Sequence, residues 1–195
     1  MAILLRAGSL PAPISIIEER SVGPSLGQDS INAGVTSVTI ALVLVLLYMF
    51  AIYGKLGLIA NTVLIINFLF IISWLVVFQA TLTLPGIAGI ALTVGMAVDA
   101  NVLVFERIRE EKLLGRTKHS AINTGFNEAL RAILDANITT LIAALILFYL
   151  GSGPIRGFSI TLGLGVISTI LCTMIISKLL INYLYIQNNK RELEF

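Results

Sequence analysis

Five stretches of the chain, residues 31–53, 56–78, 85–105, 132–150 and 158–180, are apolar over the roughly 20 residues that a helix needs to cross a bilayer. No soluble fold is built this way, so the expected fold class is an all-α membrane protein, a five-transmembrane-helix bundle. Composition agrees: 57% of the 195 residues are apolar and 12% are charged, about half the charge of a soluble domain. The breaks between stretches carry turn chemistry, in Gly54-Lys55, Thr83-Leu84-Pro85-Gly86 and Gly151-Ser152-Gly153-Pro154. Pro85 suits the first turn of a helix, where its missing N–H costs nothing.

Charge placement gives the orientation. Ten of the 13 Lys and Arg residues fall on one side of the five spans: Lys55, the run from Arg107 to Arg131, Lys178, Lys190 and Arg191. Arg6, Arg20 and Arg156 fall on the other. The positive-inside rule puts the first side in the cytoplasm, so the N-terminus is expected outside and the C-terminus inside. An odd number of spans requires the same. A net charge of +2 is too small to argue for nucleic acid.

Residues 1–29 are polar and hold Pro11, Pro13 and Pro24. Residues 14–22 read as one strand with nothing to pair with, the tail of a larger extracytoplasmic domain preceded by a further span; a disordered tail is the other reading. The long cytoplasmic stretch 106–131 is expected as a loop. Within it Ile122, Phe126, Ala129, Leu130 and Ile133 recur at helical spacing, which predicts a short amphipathic helix over 120–130 that could run into the fourth span. It is either a coupling element or a solvated connector. His119 reads as an exposed loop residue and the single cysteine, Cys172, as a small buried hydrophobe. No metal-ligand spacing, phosphate loop or nucleophile–base pattern is present, so neither metal, cofactor nor enzymatic activity is expected.

The polar residues inside the apolar spans carry the functional argument. Asp99 lies 14 residues after Pro85, about 21 Å from the outer end of its helix and a little to the cytoplasmic side of the midplane. A carboxylate at that depth costs at least roughly 2.5 kcal/mol on insertion scales and is a functional candidate by default. Leu92, Gly95, Met96, Val102, Leu103 and Glu106 share its face, so desolvation should favour its neutral form and let it load and release a proton. The alternative is an acid that only packs helices. No basic residue shares its depth, so any counter-charge must come from another subunit.

Asp135 sits one turn after Arg131 near the cytoplasmic boundary, where such a pair can simply anchor a helix. Yet Asp99-Ala100-Asn101 and Asp135-Ala136-Asn137 are the same tripeptide, the second followed by Thr139 and Thr140, which points to a shared polar interior with Asn101, Asp135, Asn137, Thr139 and Thr140 in support of Asp99. In the last span Gly157, Thr161, Gly165, Thr169, Thr173 and Ser177 recur every fourth residue, and the third span has a shorter set in Gly86, Gly89 and Gly95. Such small faces allow close helix packing.

Three segments resemble a known family. VGMAVDANVLVFERIREE (94–111), LRAGSLPAPISIIEERSVGPSLGQDSI (5–31) and ILDANITTLIAALILFYLGSGPIRGFSITLGLG (133–165) resemble the SecD/SecF family of bacterial protein-export subunits, with the GPSLG junction and DAN triplet of its SecD branch. The resemblance implies half of a resistance-nodulation-division-like transporter in the bacterial inner membrane. The chain would hold spans two to six and, in residues 1–29, the end of a periplasmic head. Implied partners are SecF, the SecYEG translocon, a translocating preprotein gripped by the head, the lipid bilayer, and YajC as a further candidate. Asp99 maps onto the acid that carries protons in that scheme. Half of a small-molecule exporter of the same superfamily and a scaffold for translocon subunits are the competing readings.

Overall fold

The computed structural model of the protein describes residues 24–187. They form α1 (Pro24–Val77), α2 (Leu84–Leu113), α3 (Lys118–Leu150) and α4 (Pro154–Leu171). The last helix runs on through a π-helical stretch, Cys172–Ser177, a turn of α-helix, α5 (Lys178–Ile181), and a second π-helical stretch, Asn182–Gln187. There is no strand among the described residues. The strand expected at 14–22 lies outside them, as do Arg6, Arg20, Lys190 and Arg191. Four helices are long and apolar enough to cross a membrane: Gly27–Val77, Leu84–Leu113, Lys118–Leu150 and Pro154–Tyr185.

The spans expected at 31–53 and 56–78 both lie in α1, whose 54 residues would reach about 81 Å if straight, over twice the hydrocarbon thickness. The helix is interrupted at Gly54, where φ is 51° and ψ −116°, a conformation that a Cβ would oppose. The two limbs then fold back on each other. The Asn61 side-chain amide donates to the Leu46 carbonyl at 3.0 Å across the fold. Gly57 lies so close to the Met49 carbonyl that any side chain there would collide with it.

The stretch 106–131, expected as a loop, is helical except for residues 114–117. The α2 helix continues past Phe105 to Leu113, and α3 starts at Lys118 and runs unbroken to Leu150. Burial explains the difference. Ile122, Phe126, Ala129 and Ile133 do not rest on a surface but join Phe105, Ile108, Met49 and Leu56 in the largest apolar core. Gly125 permits the approach: a Cβ there would come within 2.8 Å of the Ile108 backbone. Arg116 pairs with the buried Glu111 at 2.6 Å and closes the turn.

The α2 helix is the centre of the bundle. Half of its most apolar window is buried, against 44% for the last helix, 17% for α3 and 6% for α1. It runs parallel to α4, and Thr83 ties their starts together, accepting the Gly86 N–H at 3.2 Å and donating to the Pro154 carbonyl at 3.3 Å. Gly86 and Gly89 then meet Thr161, Gly157 meets Thr83, and Gly165 meets Thr93. Large apolar side chains such as Leu44, Leu47 and Leu69 stay more than half exposed, the arrangement expected where the surroundings are hydrocarbon.

Candidate functional site

Asp99 does not lie inside the bundle. It is exposed, on the one stripe of the central helix that no other helix covers, together with Leu92, Gly95 and Leu103. Beside it a narrow cleft of about 90 Å³ separates α2 from α3. Its walls include Met96, Asp99 and Leu103 on one side and Ala136, Asn137 and Thr140 on the other. The acid therefore sits at mid-helix depth on an open face, flanked by one amide and one hydroxyl. Gly95 shares this face and has nothing within 4 Å of where its Cβ would be, so it takes no part in the α2–α4 packing expected of it.

The two identical tripeptides do different work. Residues two apart on a helix point about 200° away from each other, so the acid and amide of one triplet cannot face the same space. In α2 the acid faces out and Asn101 faces in, 1% exposed, donating to the Ala97 carbonyl at 2.9 Å. In α3 the assignment is reversed with respect to the cleft: Asn137 faces it, donating to the Ile133 carbonyl at 2.7 Å, while Asp135 is exposed elsewhere. Thr139 is exposed as well and bonds back to the Asp135 carbonyl at 2.9 Å. Thr140 does the same to Ala136 at 3.0 Å. No ion pair among the described residues joins Asp135 to Arg131. The cleft thus brings together Asp99, Asn137 and Thr140, while Asn101, Asp135 and Thr139 point away from it.

A second polar zone joins the small face of the last helix to Asn67, a residue that the sequence reading passed over. Asn67, in the middle of the second limb of α1, is 1% exposed and donates to the Thr169 hydroxyl at 3.2 Å. Thr161, Thr169, Thr173 and Ser177 are all buried along the inward stripe of the last helix, with Ser168 beside them. The Oδ1 atoms of Asn67 and Asn101 and the hydroxyls of Ser168 and Ser177 are buried without a partner among the described residues. The π-helical stretch Cys172–Ser177 falls in the same region. An amide at the centre of an apolar span was the available signal for Asn67. Nothing in the sequence marks the π-helical turns.

The end of the bundle rich in Lys and Arg is organised by carboxylates. Glu106 accepts from the Tyr53 hydroxyl at 3.1 Å and lies 3.8 Å from Arg109. Arg107 pairs with Glu110 at 2.6 Å and, across to α3, with Glu128 at 3.9 Å. The nearby Glu110 carboxylate raises the already high pKa of Arg107 further, so this side chain stays charged. His119 is exposed on the first turn of α3 and meets Asn123 at 3.0 Å.

Comparison with known proteins adds the following. The family described as "Protein export membrane protein SecD/SecF, C-terminal" matches residues 7–187. A protein translocase subunit SecD from Desulfurispirillum indicum is 56% identical over 187 residues, which is 94% of this chain and 36% of that one. Its counterpart from Rhodothermus marinus is 52% identical over 184 residues, 94% of this chain and 30% of that one. The chain spans about a third of the length of the curated relatives it matches. Among solved structures, the crystal structure of SecDF from Thermus thermophilus, described as a translocon-associated membrane protein, superposes with a TM-score of 0.87 at 42% identity, over 100% of this chain and 27% of that one.

Proposed function

The chain belongs to the SecD/SecF family of protein-export membrane proteins, and from that premise we propose that it forms the membrane portion of a SecD-like translocase subunit that uses the proton gradient to assist export across the bacterial inner membrane. The observation that carries the reading is the position of Asp99, a carboxylate at mid-helix depth on the uncovered stripe of the central helix. A carboxylate facing lipid would be costly, whereas one facing a second protein half gains both a dry environment and a counter-charge. On this reading SecF covers the stripe of Asp99, Gly95 and Leu103. The cleft shared with Asn137 and Thr140 then becomes the place where a proton is held. The chain crosses the membrane five times, α1 twice, with its N-terminus periplasmic and its C-terminus cytoplasmic. Its role is mechanical coupling and not bond-making. SecYEG, a preprotein and YajC enter the same reading as partners of the complete protein.

Asp99→Asn tests it in the complete protein with its partner. The amide keeps the shape of the side chain and removes its titration. Assembly should persist while stimulation of export by the proton gradient is lost, measured as preprotein translocation into inverted vesicles with and without an imposed gradient. Wild-type stimulation in the variant would end the proton role.

A further inference from the structure

A groove of about 560 Å³, distinct from the Asp99 cleft, opens between α3, α4 and the segment 78–81. That volume lies within the range of ligand sites. Its walls are almost wholly apolar, with Leu141, Leu145 and Phe148 from α3 facing Ile160, Leu164 and Ile167 from α4, and Gly163 as its floor. It runs along α4 from Ser159 to Ile167, about 12 Å at 1.5 Å per residue, close to the depth of hydrocarbon in one leaflet. One cation stands at its mouth. The Arg156 guanidinium lies 4.4 Å above the ring of Phe148, which itself lines the groove. Arg156 makes no ion pair among the described residues, and stacking leaves its in-plane N–H donors unused. It is also the only Lys or Arg at its end of the bundle among the described residues; the others lie at the Lys55 and Lys118 end or along its approach.

We propose that this groove is a phospholipid site: one acyl chain of an anionic glycerophospholipid lies along α4, and Arg156 holds its phosphate with charge-assisted hydrogen bonds. A guanidinium pre-positioned by an aromatic ring beside an apolar slot of leaflet depth matches the two halves of such a lipid. A net negative headgroup is favoured over a zwitterionic one because the site supplies a cation and no anion. The second groove of the molecule, of about 590 Å³, meets the first at Gln79 and Ala80 and has no cation among its lining residues, so its far wall of Val35, Thr39, Phe68 and Ile72 serves as an internal control. The proposal requires only that the bundle spans a membrane and is independent of any proton role for Asp99.

The test uses the complete protein with its partner in vesicles, with phosphatidylglycerol and phosphatidylcholine carrying the same photoactivatable acyl chain. Crosslinks are mapped by mass spectrometry. Phosphatidylglycerol should label Leu145, Ile160 and Leu164 several-fold more than phosphatidylcholine, while residues of the second groove's far wall show no preference. Arg156→Gln should bring the two lipids to parity and Arg156→Lys should retain most of the preference. Gly163→Phe should reduce labelling by both, because a Cβ at Gly163 is tolerated, meeting Ala144 at 3.8 Å and Leu141 at 4.0 Å in ordinary contact, and the ring beyond it would occupy the groove. Equal labelling by the two lipids in the wild type, or an unchanged preference in Arg156→Gln, overturns the proposal. So does labelling that appears only after the partner is removed, which would make the groove a protein interface.

Discussion

Asn67 shows what a single side chain contributes in this bundle. Its amide N–H₂ bonds Thr169 at 3.2 Å while its Oδ1 is buried without a partner. The residue therefore gains one hydrogen bond, worth about 0.6 kcal/mol on average between membrane helices, and bears the cost of one unpaired carbonyl. Asn67→Leu removes both and fills the same space, so its stability should stay within about 0.5 kcal/mol of the wild type. Asn67→Ala removes both and leaves a void, and should cost about 1–3 kcal/mol. Thermal unfolding in detergent separates the two. If Asn67→Leu is the more damaging, the unpaired Oδ1 has a partner in the membrane, such as an ordered water that also serves Ser168 or Asn101. Asp99 differs in kind, because its surroundings within the chain are open and its energetics belong to whatever covers it.

Among the elements, the α2–α4 interface was legible in the sequence and the cleft at Asp99 was only half so. Every fourth residue of the last helix is small from Gly157 to Ser177, and a stripe that regular has one physical use, so its burial follows directly. Helical periodicity also found the apolar set around Ile122 and Phe126. It could not say whether lipid or protein would cover them, because both are equally apolar. The same degeneracy hid the direction of Asp99: period 3.6 says which residues share a face and nothing about where that face points. It also left Gly95 grouped with Gly86 and Gly89. Those distinctions give a test. A Cβ at Gly165 would collide with Thr93, so Gly165→Ala should destabilise by about 1–3 kcal/mol, and Thr93→Ala should recover part of that loss in the double variant. Gly95→Ala meets nothing and should be neutral or stabilise the helix by about 0.5–1 kcal/mol in the isolated chain. If a second half packs on that face, Gly95→Leu should weaken co-purification of the partner while leaving thermal unfolding of the isolated chain unchanged.

For the whole molecule, the bend at Gly54 decides how α1 meets the membrane. The limbs on either side of Gly54 lie antiparallel, joined by the Asn61 bond to Leu46. Tyr53, at the bend, bonds Glu106 near the far end of α2, and the turn at 114–117 belongs to the same end. Thr83 and Pro154 meet at the opposite end. One bilayer of about 30 Å cannot contain a bent helix of this length lying along its normal unless both limbs cross. Single cysteines at Lys55 and Gly115 should therefore react with a membrane-impermeant maleimide only from the cytoplasmic side, and cysteines at Thr81 and Ser152 only from the outside. The charge asymmetry predicts which is which, since the Lys55 end carries the excess of Lys and Arg. Labelling of positions 55 and 115 from opposite sides would break the hairpin into a single crossing and, with it, the five-crossing topology. Labelling of both from the outside would keep the hairpin but invert the molecule, placing Asp99 nearer the outer surface and reversing the direction in which a gradient could load it.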